Sequence, residues 1–280
     1  MNSTLISISA FFMATIFFYV VMNPKLTLGI LADANTMRTH VLRRYKMLSI
    51  YFFIVVVSQI AINIFMLIKT CGGSVVNNIG SALLITIIPW VIIFGAVIAV
   101  VNFFPGFKSA FSNVIGYYVV AGSAKKVLSE LLVNVELDTQ IDEATSGDTT
   151  KKDALKATAD TMLKMFGDLS VMINQIVPSN FNEYWKMITP MMKQKYQDDN
   201  ASQGLKEQLL NIVGLRDNIG EGMWFVYTAL LLIAITQYQI ISRGCKNNLT
   251  GMKEKQQDFQ KAQSASTEQA KKASAKTYTI

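Results

Sequence analysis

Long runs of uncharged, apolar residues set the pattern of this chain. Four of them, 5–22, 47–68, 79–104 and 222–242, are near the ~20 residues that a helix needs to cross the hydrocarbon core of a bilayer. Only a helix or a closed barrel satisfies its own backbone hydrogen bonds there. The pattern therefore predicts an all-α, multi-span transmembrane protein with about four spans and a helical extramembrane region between the third and last spans.

The runs and the stretches between them define six segments. We predict an N-terminal membrane anchor at 1–23, a basic amphipathic loop or surface helix at 24–46, two transmembrane helices within 47–104, a helical extramembrane region with an interfacial start at 105–221, the last transmembrane helix at 222–242 and a basic tail at 243–280. The first run lacks the preceding basic residues of a cleaved signal, so we expect a retained anchor. The tail has too few large apolar residues to fold alone, so we expect it to be disordered or an exposed helix that folds on a partner.

Helix-breaking proline and glycine residues divide the extramembrane region further. A polar link is expected at 139–150, and apolar residues at three and four spacing predict an amphipathic helix at 151–177. Pro178 should end that helix, and Pro190 and Gly204 should divide the residues after it into short helices.

Composition and charge agree with a membrane protein. The chain is 51% hydrophobic and 16% charged, whereas a soluble domain usually carries about 25% charged residues. Segment 25–46 has five basic residues against one acidic, 123–221 has eleven against fifteen, and 243–280 has eight against three. The two basic segments flank spans, where polybasic stretches favour an anionic membrane surface. We therefore expect the lipid bilayer as their partner in preference to nucleic acid, which stays the less favoured alternative for the tail.

The topology depends on residues 107–122. If the third span simply ends at Pro105, the chain crosses four times and the acidic region shares a side with 24–46. If the stretch re-enters or crosses the bilayer, the two basic segments share a side, as the positive-inside tendency favours. Its apolar part, 114–121, is too short to span. We therefore prefer four spans, with 107–122 as an interfacial or partly inserted segment.

The chain offers few side chains for catalysis. It has one His and two Cys, too few for a four-ligand zinc site of the Cys/His kind. The four runs contain no Asp, Glu, Lys, Arg or His, whereas pumps usually mark their route with such groups. We expect no enzymatic activity, no catalytic residue, no cofactor and no metal. A disulfide between Cys71 and Cys245 and two reduced thiols are both open.

Small and polar residues within the runs favour helix association. Gln59 and Asn63 lie four residues apart on one face of the second span, where amides hydrogen-bond neighbouring helices for about 1 kcal/mol each. Gly95 and Ala99 form a small-xxx-small pair in the third span, which lets backbones approach closely. Packing within one chain and self-association of several copies are both open.

One local stretch has a family resemblance. The sequences IPWVIIFG at 88–95 and FPGFKSAFSNVIGY at 104–117 resemble a segment of membrane proteins of large icosahedral double-stranded DNA viruses, the chlorovirus and iridovirus group. In those proteins a kinked IPW-type span precedes an FPGW-like turn and a PFSN-x-x-GY-like segment. This chain has Phe107 where Trp is common and Ala110 where Pro is common. The residues that stand at the family-like motif positions are Pro89, Trp90, Phe104, Pro105, Gly106, Phe107, Phe111, Ser112, Asn113, Gly116 and Tyr117.

The resemblance implies a structural virion protein. It would reside in the internal membrane beneath the capsid shell, having been in a host endomembrane during assembly, and would contact capsid or minor capsid proteins. The sequence FNEYW at 181–185 is similar to the same proteins. Its Phe181, Tyr184 and Trp185 are candidate partner-docking residues, because aromatics are enriched at interface hot spots. The alternative is that they cover the membrane surface or form a small core of their own region.

Two other function classes are open. A channel or transporter subunit would need a hydrated path lined by Ser58, Gln59, Asn63 or Gln237 from several copies. An accessory subunit of an organellar membrane complex would copurify with an enzyme.

Overall fold

The computed structural model describes residues 3–72, 74–132, 169–242 and 249–275. In these ranges the backbone is almost entirely helical, apart from turns and an isolated antiparallel bridge between Leu132 and Met192. Four helical stretches are long and apolar enough to cross a membrane, namely Thr4–Met22, Ala34–Cys71, Asn78–Phe103 and Asp199–Ser242. The predicted all-α, multi-span membrane fold is therefore confirmed.

The first and third spans agree within one residue with the predicted runs 5–22 and 79–104, whereas the second span begins earlier than predicted, at Ala34. This part of the chain comprises α1 (Ser3–Phe17) with a π-helical end (Phe18–Met22), the short α2 (Leu28–Ala32), α3 (Ala34–Cys71), α4 (Val75–Pro89), a π-helical turn (Trp90–Phe94) and α5 (Gly95–Phe103). Because α3 runs without interruption, the basic residues of 34–46 form the first turns of the second span. They do not form the separate surface helix that the sequence suggested. Cys71, at the end of α3, is disulfide-bonded, and Cys245 lies outside the described residues.

The rest of the chain is a series of short helices followed by two long ones. It comprises α6 (Pro105–Phe111), a π-helical turn (Ser112–Gly116), α7 (Tyr117–Leu131), α8 (Leu169–Gln175), α9 (Phe181–Ile188), two 3-10 turns (Thr189–Met191 and Gln194–Tyr196), α10 (Asp199–Ser242) and α11 (Leu249–Ala275). As predicted, α8 ends before Pro178 and α9 ends before Pro190. The predicted break at Gly204 is wrong, because Gly204 lies inside α10, beside the buried Leu205 and Leu209. The link at 139–150 and most of the helix at 151–177 lie outside the described residues.

The chain divides into two compact units. Unit 1 contains residues 1–16, 50–96 and 227–280, and unit 2 contains residues 17–49 and 97–226. In unit 1, apolar side chains point outward from every span, as in Met13, Phe53, Ile92 and Ile241, which are 69%, 67%, 64% and 72% exposed. Gln59, in contrast, is fully buried. Apolar residues outside and polar residues inside are expected of helices surrounded by hydrocarbon.

The core of unit 2 forms among α7, α8, α9 and the first half of α10. Its most deeply buried side chains are Leu128, Leu131, Met172, Ile173, Ile176, Phe181, Ile188, Leu209 and Val213. The segment before α3 joins this core, since Leu28 and Leu31 pack on it and Asn182 Nδ2 donates to the Leu31 carbonyl at 3.0 Å. Unit 2 therefore combines the ends of several spans with the helices that come after the third span.

Candidate functional site

Four charged side chains of unit 2 meet in a buried group, the charged cluster. Arg44 Nη2 lies 2.5 Å from Glu221 Oε2, and Lys108 Nζ lies 2.9 Å from Asp217 Oδ2 and 3.3 Å from Glu221 Oε2. The Glu221 side chain is completely buried, and those of Arg44, Lys108 and Asp217 are 21%, 10% and 17% exposed. Two cations face two anions, so the charged cluster carries no net charge.

Three helices bring the charged cluster together. Arg44 belongs to the first turns of α3, Lys108 to α6, and both carboxylates to α10. Asp217 and Glu221 are four residues apart, which places them on one face of α10. Taking charges out of water is costly, and attraction between the partners offsets the cost only when each charge is well paired. The pairing therefore favours one relative position of α3, α6 and α10.

Neutral polar side chains extend the charged cluster to two further segments. Arg44 Nη1 donates to Asn102 Oδ1 at 3.4 Å, near the end of α5. The Tyr19 hydroxyl donates to Glu221 Oε1 at 3.4 Å from the π-helical end of the first span. Each of the four membrane helices of the fold thus contributes a residue to the charged cluster or to its immediate neighbours.

The motif segment 104–117 packs directly on α10 where the charged cluster forms. A Cβ built on Gly116 would lie 2.6 Å from the Arg216 carbonyl oxygen, and one built on Gly220 would lie 2.7 Å from the Ser112 backbone nitrogen. Both distances are shorter than real Cβ contacts, so the two helices come this close only because glycine has no side chain. Ser112 is buried at this contact.

Two aromatic residues of the motif contact Trp224 on α10. The ring centroids of Phe107 and Trp224 are 4.7 Å apart, and those of Phe111 and Trp224 are 4.9 Å apart. The indole Nε1 of Trp224 donates to the Phe107 carbonyl at 2.9 Å. The motif therefore contacts α10 from Arg216 to Trp224, which is more than two helical turns.

The turn at the start of the motif separates α5 from α6. Phe104 has φ −120° and ψ 88°, and a following proline disfavours the helical conformation in such a residue. Pro105 then begins α6, where the missing N–H is not needed. A Cβ on Gly106 would meet nothing within 4 Å, so packing does not require glycine there. At the other end of the motif, Tyr117 packs against the core of unit 2.

The earlier part of the motif lies in unit 1. The helix changes to π-helical winding at Trp90–Phe94, immediately after Pro89. π-bulges and prolines are the usual places where helices bend, which agrees with the predicted kink site. Trp90 and Phe94 are fully buried, with ring centroids 5.4 Å apart, and Phe11 lies 6.2 Å and 5.9 Å from them.

Arg216 connects the motif segment, α10 and α8. Its guanidinium donates to the carbonyls of Ile173 and, at 2.8 Å, Ile176. The last carbonyls of a helix lack partners within the helix, and a cation is favourable there. Asn174 Nδ2, on the same helix, donates to the Asn113 carbonyl at 3.2 Å. Asn113 thus takes part in the contact through its backbone.

The amides predicted to associate helices do so within unit 1. Gln59 bonds to Ser7, accepting from its hydroxyl and donating from Nε2 to its carbonyl at 3.2 Å. Asn63 Nδ2 donates to Thr86 Oγ1 at 2.8 Å, and Gln237 Nε2 donates to Asn63 Oδ1 at 3.4 Å. Of the two interpretations left open by the sequence, these bonds support packing within one chain.

The structure gives less support to the close helix packing predicted at Gly95 and Ala99. A Cβ on Gly95 would lie 3.7 Å from Phe52 Cζ, which is ordinary van der Waals contact. Ala99 is half-buried. An alanine would therefore fit at position 95, and the close approach predicted for this pair occurs instead at Gly116 and Gly220.

The three candidate docking residues are core residues of unit 2. Phe181, Tyr184 and Trp185 are only 1%, 8% and 3% exposed, and they pack in the same cluster as α7 and α10. Burial raises the pKa of the Tyr184 phenol above its ordinary value. These side chains are not available to a partner in this structure, so their assignment as a docking surface is corrected to the alternative, a small core of their own region.

Comparisons with family models, with curated proteins and with solved structures gave no match. The geometry of the chain itself and the local resemblance at 88–117 are therefore the only guides to its function.

Sequence reasoning missed the charged cluster and Arg216. The four apolar runs contain no charge, and the cluster lies just outside them, so a search within the runs could not find it. Two signals were present: Asp217 and Glu221 stand four residues apart directly before the last run, and Lys108 interrupts the apolar motif. A lone lysine among aromatic residues needs a carboxylate partner when it is buried, and α10 offers two.

Proposed function

We propose that this chain is a structural membrane protein that anchors an internal viral membrane to a capsid shell through minor capsid proteins. One observation carries the proposal: the segment that resembles the viral membrane proteins, 104–117, is the part of unit 2 that joins the span ends to the extramembrane helices. It contacts α10 through close glycine packing, an aromatic cluster and Lys108.

An anchor must hold its membrane helices and its extramembrane helices in a fixed relation. The charged cluster and the contacts of Arg216 supply such links within unit 2, because each connects residues far apart in the sequence through buried polar bonds. Breaking a buried ion pair by removing one partner is strongly destabilising. These links are suited to a structural role, and they use side chains that are paired with one another.

Unit 2 offers a partner an accessible surface beside the aromatic core, where Trp185 borders it. A cleft of about 870 Å³ opens between α2, α9 and the start of α10. Its lining includes Leu28, Asn182, Lys186, Asp199, Gln203 and Lys206. Amides and charges of both signs line it, a composition suited to a polar protein surface. We propose this cleft, in place of the buried aromatic residues, as the region where a minor capsid protein makes contact.

The channel alternative finds less support. Its pore would need Gln59, Asn63 and Gln237 to face water, whereas these amides bond to partners inside unit 1. If the chain is instead an accessory subunit, it should copurify with an enzyme.

Mass spectrometry of purified virions, with and without detergent extraction, tests the proposal. We expect the chain in intact particles and its release, with lipid, by detergent. Crosslinking from Lys186, which lines the cleft, should reach a minor capsid protein. Absence from washed particles, or crosslinks confined to this chain, would contradict the anchoring function.

A further inference from the structure

The outward face of α6 and α7 changes from apolar to polar along its length. In the first part it is apolar: Phe107, Val114, Tyr118 and Val119 are 47%, 67%, 85% and 57% exposed. Beyond residue 120 the exposed positions are polar or small, namely Gly122, Ser123, Lys125, Lys126, Ser129 and Glu130. The change happens within one turn of a single helix.

Apart from Phe107, whose ring also contacts Trp224, this apolar face is distinct from the face that packs on α10. Lys108, Ser112, Gly116 and Val120 lie on the opposite side and are buried. Within the part of the chain that the structure describes, the segment is therefore covered by protein on one side only, while its other side presents large apolar side chains. Monomeric soluble proteins rarely expose contiguous apolar patches of this kind.

The apolar face continues from the third span. Phe103 and Phe104, at the end of α5, are 68% and 63% exposed, and α6 begins at the next residue. Phenylalanine side chains favour lipid over water, so these exposed rings suit contact with a bilayer. The apolar surface of 103–119 is thus continuous in sequence with a surface that a bilayer surrounds.

Lys108 supplies an independent observation. It lies between Phe107 and Phe111, is only 8% exposed and pairs with both Asp217 and Glu221. A lysine on a helix lying in water usually keeps its charged head in the solvent. Ionisable residues at membrane depth usually face the protein interior and pair with one another, as Lys108 does.

We propose that residues 103–119 lie in the bilayer interface, with Phe103, Phe104, Phe107, Val114 and Tyr118 in contact with lipid, and that the helix leaves the membrane near Gly122. Residues 105–119 extend only about 22 Å at 1.5 Å per residue, less than the ~30 Å hydrocarbon core. The segment therefore enters and leaves on the same side, and the chain crosses four times. This inference does not depend on the viral function.

Cysteine labelling in proteoliposomes of phosphatidylcholine and phosphatidylglycerol tests it. Val114→Cys and Tyr118→Cys replace lipid-facing residues, and Ser123→Cys and Ser129→Cys are matched controls farther along α7. The unsubstituted chain, in which Cys71 is disulfide-bonded, is labelled without reductant and reports the background. A water-soluble maleimide should label positions 114 and 118 about tenfold more slowly than 123 and 129, because the reacting thiolate is disfavoured in apolar surroundings.

A fluorophore attached at the same positions gives the second readout. Brominated lipids should quench it at 114 and 118, and aqueous iodide should quench it at 123 and 129. Equal maleimide labelling at all four positions would overturn the proposal. Protection at 114 and 118 only in assembled particles, and not in liposomes, would also overturn it, because the face would then be covered by a protein partner. Two lipid-facing positions keep the test valid if one variant fails to fold.

Discussion

Glu221 accepts a hydrogen bond from Arg44 across 2.5 Å, although the two residues are 177 positions apart in the sequence. The bond joins the start of the second span to the helix that becomes the last span. Because the Glu221 side chain is completely buried, water cannot take the place of Arg44 and Lys108 as partners of its carboxylate. The folding of unit 2 therefore depends on a pairing that neither helix specifies alone.

Replacing the buried carboxylate should destabilise the protein. Glu221→Gln keeps the shape of the side chain but leaves Arg44 and Lys108 without one anion. We expect a loss of about 2–3 kcal/mol, below the usual ~3–5 kcal/mol for a fully buried pair because Arg44 is partly exposed. The measurement is the thermal midpoint of the detergent-solubilised protein at a fixed scan rate. Glu207→Gln, at an exposed position of α10, is the matched control, and equal midpoints for the two variants would contradict a stabilising role.

Adding a methyl group at either glycine contact should also be destabilising. Gly116→Ala and Gly220→Ala would force α10 away from the motif segment, since backbone atoms of Arg216 and Ser112 occupy the required space. Overpacking of this kind costs about 1–3 kcal/mol. Gly214→Ala, on α10 with nothing within 4 Å of its Cβ, should instead be neutral or slightly stabilising. The measurement is the thermal midpoint of each of the three variants. A similar fall in all three would show that the close approach of the two helices is not the cause of the destabilisation.

The sequence predicted the membrane helices well but not the contacts that join them. Apolar runs of bilayer length depend on local composition alone, so all four spans could be located. The charged cluster depends on which helices become neighbours, and no local pattern determines that Arg44 meets Glu221. Likewise, the aromatic residues at 181–185 have the composition of a docking surface, and only the packing of α7 and α10 over them makes them a core. Gly204 shows the same limit, because its buried neighbours override its low helix propensity.

The core position of Trp185 has a direct consequence. Trp185→Ala should lower the stability of the isolated protein by about 3–5 kcal/mol, the usual effect of removing a large buried aromatic side chain. Thermal unfolding in detergent, without any partner, is the measurement. Met187→Ala, at a position 42% exposed on the same helix, should change the midpoint little. If Trp185→Ala left the midpoint unchanged and weakened only partner binding, the docking interpretation would replace the core interpretation.

The hydrogen bonds of unit 1 allow the anchor function to be tested against the channel alternative. Asn63→Ala removes two hydrogen bonds, with Thr86 and with Gln237, and should cost about 2 kcal/mol at ~1 kcal/mol each. Ser58→Ala is the control, because Ser58 bonds only to the Val55 carbonyl of its own helix among the contacts described. Midpoints in detergent test the stability effect. Single-channel recordings from proteoliposomes should show no conductance for the unsubstituted chain, and a conductance altered by Asn63→Ala would favour the channel.

The final prediction concerns α11, the helix within the basic tail. Its described side chains between 253 and 271 are all exposed, including Phe259 at 69%. With no buried side chain among those described, a helix of 27 residues lacks support from packing, and such helices are marginal in water. Trypsin should therefore cleave detergent-solubilised protein within 253–272 before it cleaves within 181–221, where the core of unit 2 protects the backbone.

In assembled particles the order of cleavage should change. If α11 binds a neighbouring protein or an anionic membrane, to which each basic residue near the surface can contribute about 1 kcal/mol, its lysines become protected. Liposomes of neutral and of anionic lipid distinguish the two partners, because protection by anionic liposomes alone identifies the membrane. Equal resistance of α11 in detergent and in particles would mean that the helix is stable by itself, and its role as an arm that orders on a partner would have to be abandoned.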